Sequence, residues 1–293
     1  MAGPRVMTLE SLKKAVVETK SLEQLAVEKN LTETDEEIMQ RLKQRFDILD
    51  DMTRAVKGGQ VRSMIVTGPP GVGKSFGVEK VLSKHDLLAD VANDEKLKKY
   101  EIVKGAMSAI GLYRKLYEYS DKKCILVFDD CDSVLLDDLS LNILKAALDS
   151  SKKRMIHWNT DARSLKENGV PNSFEFKGGA IFISNIKFDH VKSKKLRDHL
   201  EALESRCHYL DLTIDTEREK LLRIRQVVRD SGMLDGYDMD DAAKQEVVEF
   251  IASNAKRMRE LSLRMVLKVA DIRVSMPGNW QAVVEVTCMR NGH

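Results

Sequence analysis

Gly68-Pro69-Pro70-Gly71-Val72-Gly73-Lys74-Ser75 lies between an apolar run, Arg62-Ser63-Met64-Ile65-Val66-Thr67, and a helical pattern at residues 76–82 that opens on Phe76. Every position of the pattern G-x-x-x-x-G-K-(S/T) is satisfied. Glycines let successive backbone N–H groups turn toward phosphate oxygens with no Cβ in the way. Lys74 would bring a mobile positive charge to the β- and γ-phosphates, and the Ser75 hydroxyl would ligate Mg²⁺. An apolar strand before the loop and a helix after it supply the context that this chemistry needs. Phe76 follows directly and counts with the loop as a nucleotide contact.

The chain of 293 residues has room for one large domain or two modest ones. With 43% hydrophobic and 32% charged residues it has the composition of a globular protein, not a disordered one. Forty-eight basic against 46 acidic side chains leave a net charge of +2, too little to argue for nucleic acid on global charge. The cysteines, Cys124, Cys131, Cys207 and Cys288, form no C-x-x-C pair and no zinc spacing, so a reduced, cytoplasmic setting is expected. The six histidines include no H-E-x-x-H. No apolar run approaches membrane-spanning length, and Glu10, Lys13 and Lys14 interrupt any signal-peptide core.

Outward from the loop, the pattern divides the chain into three parts. Residues 1–33 are charged and weakly periodic, an expected helix with a loose end. Residues 34–213 begin with the capping box Thr34-Asp35-Glu36-Glu37. The helix that follows carries Ile38, Leu42, Phe46, Leu49 and Met52 on one face and ends at Gly58-Gly59. Strands are expected at 100–103, 123–128, 180–184 and 208–212, alternating with helices at 109–120 and 139–148. Lys123-Cys124-Ile125-Leu126-Val127-Phe128 is continuously apolar after its first residue, as a strand buried on both faces of a parallel sheet requires. The fold class expected is therefore α/β, a doubly wound parallel sheet. Residues 214–293 read as helices only, at 217–229, 240–253, 257–274 and about 280–286.

Residues 150–179 are too long for a plain connection. Arg154-Met155-Ile156-His157-Trp158 and Ser173-Phe174-Glu175-Phe176-Lys177 have strand character, with turn formers between them, so a β-hairpin insertion is expected. Its basic side chains with an exposed Trp158 would suit a DNA backbone contact with base stacking. The alternative, Trp158 packed on the sheet above a solvated charged rim, fits the same residues somewhat better.

The strand at 124–128 delivers Asp129-Asp130 at its C-terminal edge, where ligands of such sheets bind. Asp129 is then the expected Mg²⁺ partner and Asp130 the general base for an attacking water. A polar turn would use the same pair, but downstream of a complete phosphate loop the carboxylate roles take precedence. Asn185 follows the strand at 180–184, where an amide orients water or γ-phosphate without adding charge; it is also a common turn former.

Together these elements resemble the AAA+ ATPases, over roughly residues 35–275, and most nearly those encoded by tailed bacteriophages, with a more distant likeness to clamp-loader and branch-migration motors. The resemblance implies a five-stranded sheet ordered 5-1-4-3-2, a C-terminal helical lid, and ATP with Mg²⁺. It implies a homo-oligomeric ring acting in the cytoplasm, that of a host cell if the protein is phage-encoded. It assigns Asp129-Asp130 as Walker B and Asn185 as sensor 1. Arg206, in Glu204-Ser205-Arg206-Cys207, becomes an arginine finger reaching a neighbouring subunit, although a surface arginine before a strand reads the same way. Sensor 2 falls on Arg259, in an Arg-Glu-Leu run, or on Arg264; five apart on one helix they would face different ways, and Arg264 is preferred.

Most of the family carries Glu where this chain has Asp130, one methylene shorter, which bears on turnover more than on binding. Residues 104–109 lack the aromatic–apolar–Gly triplet of polypeptide-threading members. The expected activity is Mg²⁺-dependent ATP hydrolysis that remodels nucleic acid or a replication complex. The alternatives are a protein-remodelling chaperone and a weakly hydrolysing nucleotide switch.

Overall fold

The buried strands organise the structure, a computed structural model that describes residues 32–83, 99–159, 163–186, 191 and 193–290. The helix expected within residues 1–33 lies outside the described residues, save for the last two. Seven strands are present among them: β1 (Ser63–Thr67), β2 (Tyr100–Lys104), β3 (Ile125–Asp129), β4 (Met155–His157), β5 (Ser173–Glu175), β6 (Gly179–Ser184) and β7 (His208–Asp211). Five pair in parallel in the order β2-β3-β6-β1-β7, and β4 with β5 makes a separate antiparallel pair.

Every residue of β1, β3 and β6 is buried, as expected of the three inner strands with helices on both faces. Burying one such Ile, Leu, Val or Phe side chain stabilises the fold by about 1.5–3 kcal/mol. The register decides where the site forms. Thr67 lies level with Ser184 and with Asp211, and Asp129 lies level with Ile183 and with Lys104. The segments leaving β1, β3 and β6 therefore emerge side by side at one edge of the sheet.

Helix α1 (Asp35–Gly58) starts as its sequence demands. Thr34 Oγ1 accepts from the Glu37 N–H, Glu37 returns the bond to the Thr34 N–H, and Gly59 closes the helix at φ 75°. Its lower half packs Leu49 and Val56 on the sheet, while Ile38 and Leu42 meet Val72, Ile214 and Leu222. The glycine-containing loop at 68–73 runs into α2 (Lys74–Ser83). Helices α3 (Ala109–Glu118), α4 (Asp132–Leu136) and α5 (Asp138–Ala147) follow, with α6 (Arg163–Glu167) between β4 and β5 and α7 (Lys194–Glu204) before β7. The short α4, α6 and the longer α7 have no counterpart in the sequence reading.

After β7 the named elements among the described residues are helices: α8 (Glu217–Asp230), α9 (Asp241–Ser253), α10 (Leu263–Ser275) and α11 (Trp280–Cys288). They share a core of their own around Val247, Ile251, Val266, Val269 and Trp280. Helix α10 begins at Leu263 and not near residue 257. Ser262 takes the N-cap, accepting from the Met265 N–H, while Met258 forms a bridge with Met289. A side chain that satisfies an orphan N–H sets a helix start more firmly than apolar periodicity does.

The hairpin expected before β6 is present, with α6 carried in its connection. Its tryptophan is buried: Trp158 is 8% exposed and its ring lies 5.5 Å from that of Tyr113. Arg154 is buried too, donating to Ala147 O at 3.0 Å and Gly178 O at 2.9 Å. Inward-facing Ile156, Trp158 and Phe174 follow the strand period, so the stacking surface imagined for DNA is turned into the core. Lys152, Lys153 and Lys177 remain outside.

Candidate phosphate-binding site

Gly68, Gly71 and Gly73 all hold positive φ, at 147°, 72° and 104°, which side chains other than glycine adopt only at a cost. Space forbids a Cβ as well. At Gly71 it would come 2.6 Å from Ser262 Cβ, and at Gly68 2.9 Å from Leu212 O. The loop thus keeps its backbone bare and leads straight into the ten-residue helix α2, whose first N–H groups and dipole favour an anion.

Lys74, at the head of α2, is only 5% exposed. Its Nζ donates to Gly68 O at 2.6 Å, Pro69 O at 2.9 Å and Asn185 Oδ1 at 2.8 Å. Burial pushes its pKa down to about 8, and the nearby carboxylates of Asp130 and Asp129 oppose part of that fall. The neighbouring Ser75 Oγ donates to Asp129 Oδ1 at 2.8 Å. Asp129 is 4% exposed and also faces Lys104 Nζ across 3.4 Å.

Asp130 sits in the left-handed region at φ 53°, with its N–H bonded to Ile183 O at 3.0 Å. For a residue other than Gly that conformation costs roughly 1–3 kcal/mol, and it carries the chain sharply out of the sheet just after β3. The Asn185 Nδ2 donates to Asp130 Oδ1 at 2.8 Å. One amide therefore joins the Lys74 ammonium to the Asp130 carboxylate. Asp132, which the sequence reading passed over, accepts from Ser184 Oγ at 2.8 Å and braces the ends of β3 and β6. The run Asp129-Asp130-Cys131-Asp132 was its only sequence signal.

These groups open on a cleft of about 420 Å³. Pro70, Gly71, Lys74 and Ser75 form one side of it, Asp130, Ile183 and Asn185 its sheet edge, and Val227, Met233, Leu263, Arg264 and Leu267 its helical side. Phe76 lines it too, 59% exposed. Val72 points the other way, 5% exposed in the cluster with α1. The helical part touches the loop directly, since the Leu263 N–H donates to Gly71 O at 2.8 Å.

Of the two arginines considered for the helical side, Arg264 lines the cleft. Arg259 does not, a correction to its pairing with Arg264 on one helix. It lies in the irregular stretch before Ser262, exposed, with its N–H bonded to Cys288 O at 3.0 Å. Arg206 also stands away from the cleft of its own chain. It follows α7, and its carbonyl accepts from Ser63 Oγ at 3.3 Å, at the start of β1 and so at the opposite edge of the sheet. Its Nη1 donates back to Ala202 O, and its Nε is buried without a partner among the described residues.

No helix among the described residues is long and apolar enough to cross a membrane. No protein-family model matches the chain. Comparison with curated proteins does find a relative from Enterobacteria phage T4, the uncharacterized 36.7 kDa protein in the nrdC-mobD intergenic region. It is 34% identical over 253 residues, which cover 86% of this chain and 75% of that protein. Similarity of that extent supports the likeness to phage proteins, and the chain belongs to the same family as this phage T4 protein.

Proposed function

We propose that the protein is a Mg²⁺-dependent ATPase of the AAA+ kind that works as a homo-oligomeric ring in the cytoplasm of an infected cell. The observation that carries the reading is the convergence of Lys74, Ser75, Asp129, Asp130 and Asn185 on one glycine-built loop. Counting only the parallel strands in chain order, the sheet runs 5-1-4-3-2, in agreement with the order that the resemblance implies. The helices after β7 line one side of the cleft, which supports reading them as a lid with Arg264 as its sensor 2 residue.

The residues fit a triphosphate with its metal. Positive-φ glycines keep the cradle free of Cβ atoms, and a hydroxyl beside a carboxylate is a donor set suited to Mg²⁺, which keeps several waters and takes few protein ligands. Among the described residues no cluster of three or more acidic, His or Cys side chains competes as a metal site. Bound Mg²⁺ would neutralise charge on the phosphate oxygens, with Ser75 as ligand and Asp129 as its partner.

The remaining work falls to the chain itself. Lys74 exchanges the carbonyls of Gly68 and Pro69 for phosphate oxygens. Asp130 takes a proton from the attacking water while Asn185, already bonded to it, fixes the direction of the carboxylate. Arg206 of one subunit brings its guanidinium to the cleft of the next, where it offsets charge spreading over the γ-phosphoryl oxygens.

Remodelling of nucleic acid or of a replication complex is the use of this cycle we favour, although the buried Trp158 removes one argument for DNA. A protein-remodelling chaperone is the alternative. A nucleotide-dependent switch with slow turnover gains support from one observation, the short Asp130 side chain held by Asn185 in a left-handed turn. ATP hydrolysis measured alone and with single- or double-stranded DNA separates the three. DNA stimulation supports the first, DNA-independent turnover the second, and tight ATP binding with negligible turnover the third.

A further inference from the structure

Arg223 projects from α8 into the seam between α8, α1 and the phosphate loop. Its guanidinium carbon lies 3.5 Å from the centre of the Phe46 ring on α1. The Nη1 donates to Gln226 Oε1 at 2.8 Å, and Gln226 Nε2 donates in turn to Met39 O at 2.9 Å, which ties the pair to α1. The Nη2 reaches the loop, 3.9 Å from where a Cβ on Gly73 would stand. The Nε is buried and has no hydrogen-bond partner among the described residues.

No carboxylate among the described residues forms an ion pair with this group. Asp47, Asp230 and Asp50 act on it only through space, and burial lowers its pKa to about 10, which leaves it charged at neutral pH. An unpaired cation in such a seam is costly, and the Phe46 ring face offsets only part of the cost. Packing alone would be met at least as well by Leu or Met. The charge has a use if an anion binds on the far side of Gly73.

We infer that Arg223 is a positioning residue for the polyphosphate, acting through the loop. It stands beside the loop at Gly73, adds a fixed positive charge to the wall that holds the phosphates, and joins α8 to α1 at that point. This rests on the nucleotide reading above. A unit charge acting over about 10 Å, in surroundings of intermediate dielectric, is enough to change affinity by about tenfold.

The test is ATP–Mg²⁺ affinity by calorimetry at about 50 and about 300 mM NaCl, for the wild type, Arg223→Met, Arg223→Lys and Lys74→Ala. Thermal melting without nucleotide checks folding; should Arg223→Met not fold, Arg223→Gln takes its place against Arg223→Lys. The expected result is binding about tenfold weaker for Arg223→Met at low salt, Arg223→Lys within about threefold of the wild type, and a shallower salt dependence for the Met variant. Affinity unchanged in Arg223→Met overturns the inference. So does an equal loss in the Met and Lys variants, which would mark a packing role. If the wild type binds ATP and Lys74→Ala does not, such a result removes only the role of Arg223. Absence of binding by the wild type removes the nucleotide reading and this inference together.

Discussion

The two edges of the five-stranded sheet are made by the same strands and carry opposite equipment. At the C-terminal edge, three segments leave β1, β3 and β6 side by side, and their polar groups pair with one another: Lys74 with Asn185, Asn185 with Asp130, Ser75 with Asp129. At the N-terminal edge, Arg206 stands next to Ser63 with a buried Nε that nothing satisfies. One edge is a site with nearly all its parts. The other holds an arginine that stands away from the cleft of its own chain. A parallel sheet teaches why: every strand points its C-terminal end to the same side, so residues that follow strands assemble there, and a residue that precedes a strand stands at the opposite side, which is why the proposed role of Arg206 is in another copy.

The largest effect should come from the first edge. Replacing Lys74 with Ala removes the buried cation of the loop, and ATP binding followed by calorimetry should become undetectable; retained tight binding would break the assignment of the loop. Next comes Asp130→Asn, which keeps the hydrogen-bonding shape and removes the base. Binding should stay within about threefold while turnover falls by about 10²–10⁴. Unaltered turnover would move the base to another residue.

A smaller effect should appear with pH. Lys74 has its pKa lowered to about 8 from the ordinary lysine value of 10.5. Between those values the unfolded chain holds a proton that the folded chain has released, so this residue's contribution to stability rises with pH through that window. Its unfavourable burial is present in full below pH 8. Binding runs the other way. A bound triphosphate favours the charged form, so affinity should decline above pH 8, by up to about tenfold per pH unit, with proton uptake on binding. Calorimetry in buffers of different ionisation enthalpy reads both. Affinity flat from pH 7 to pH 9.5 would mean that Lys74 is not the group that meets the phosphates.

Much of this was legible in the sequence because the elements that build the first edge declare themselves locally. Three apolar runs that are buried on both faces, each followed by a polar group, give the strands and their delivered residues without any knowledge of pairing. What escaped depends on contacts distant in sequence. Arg223 has no local signal of its contact with Phe46, far earlier in the chain. Arg154 sits in a basic stretch that suggests surface, and only the packing of the β4–β5 pair turns it inward, whereas the burial of Trp158 agrees with the reading its sequence favours. Apolar periodicity carries the helix back over Arg259, whereas the Ser262 cap starts that helix four residues after Met258, which pairs with Met289. The left-handed turn at Asp130 has no local signal, since Asp takes that conformation only occasionally.

The claim that the two edges meet across subunits is tested most directly by mixing two inactive variants. Arg206→Ala should bind ATP normally and lose turnover by about 10³ or more, the usual worth of such a guanidinium. Lys74→Ala should not bind at all, yet it still carries Arg206. In a one-to-one mixture that assembles together, ATP hydrolysis should rise well above the sum of the two variants, because intact loops meet intact arginines at some interfaces. Mixed assemblies no more active than that sum, alongside an active wild type, would contradict the account.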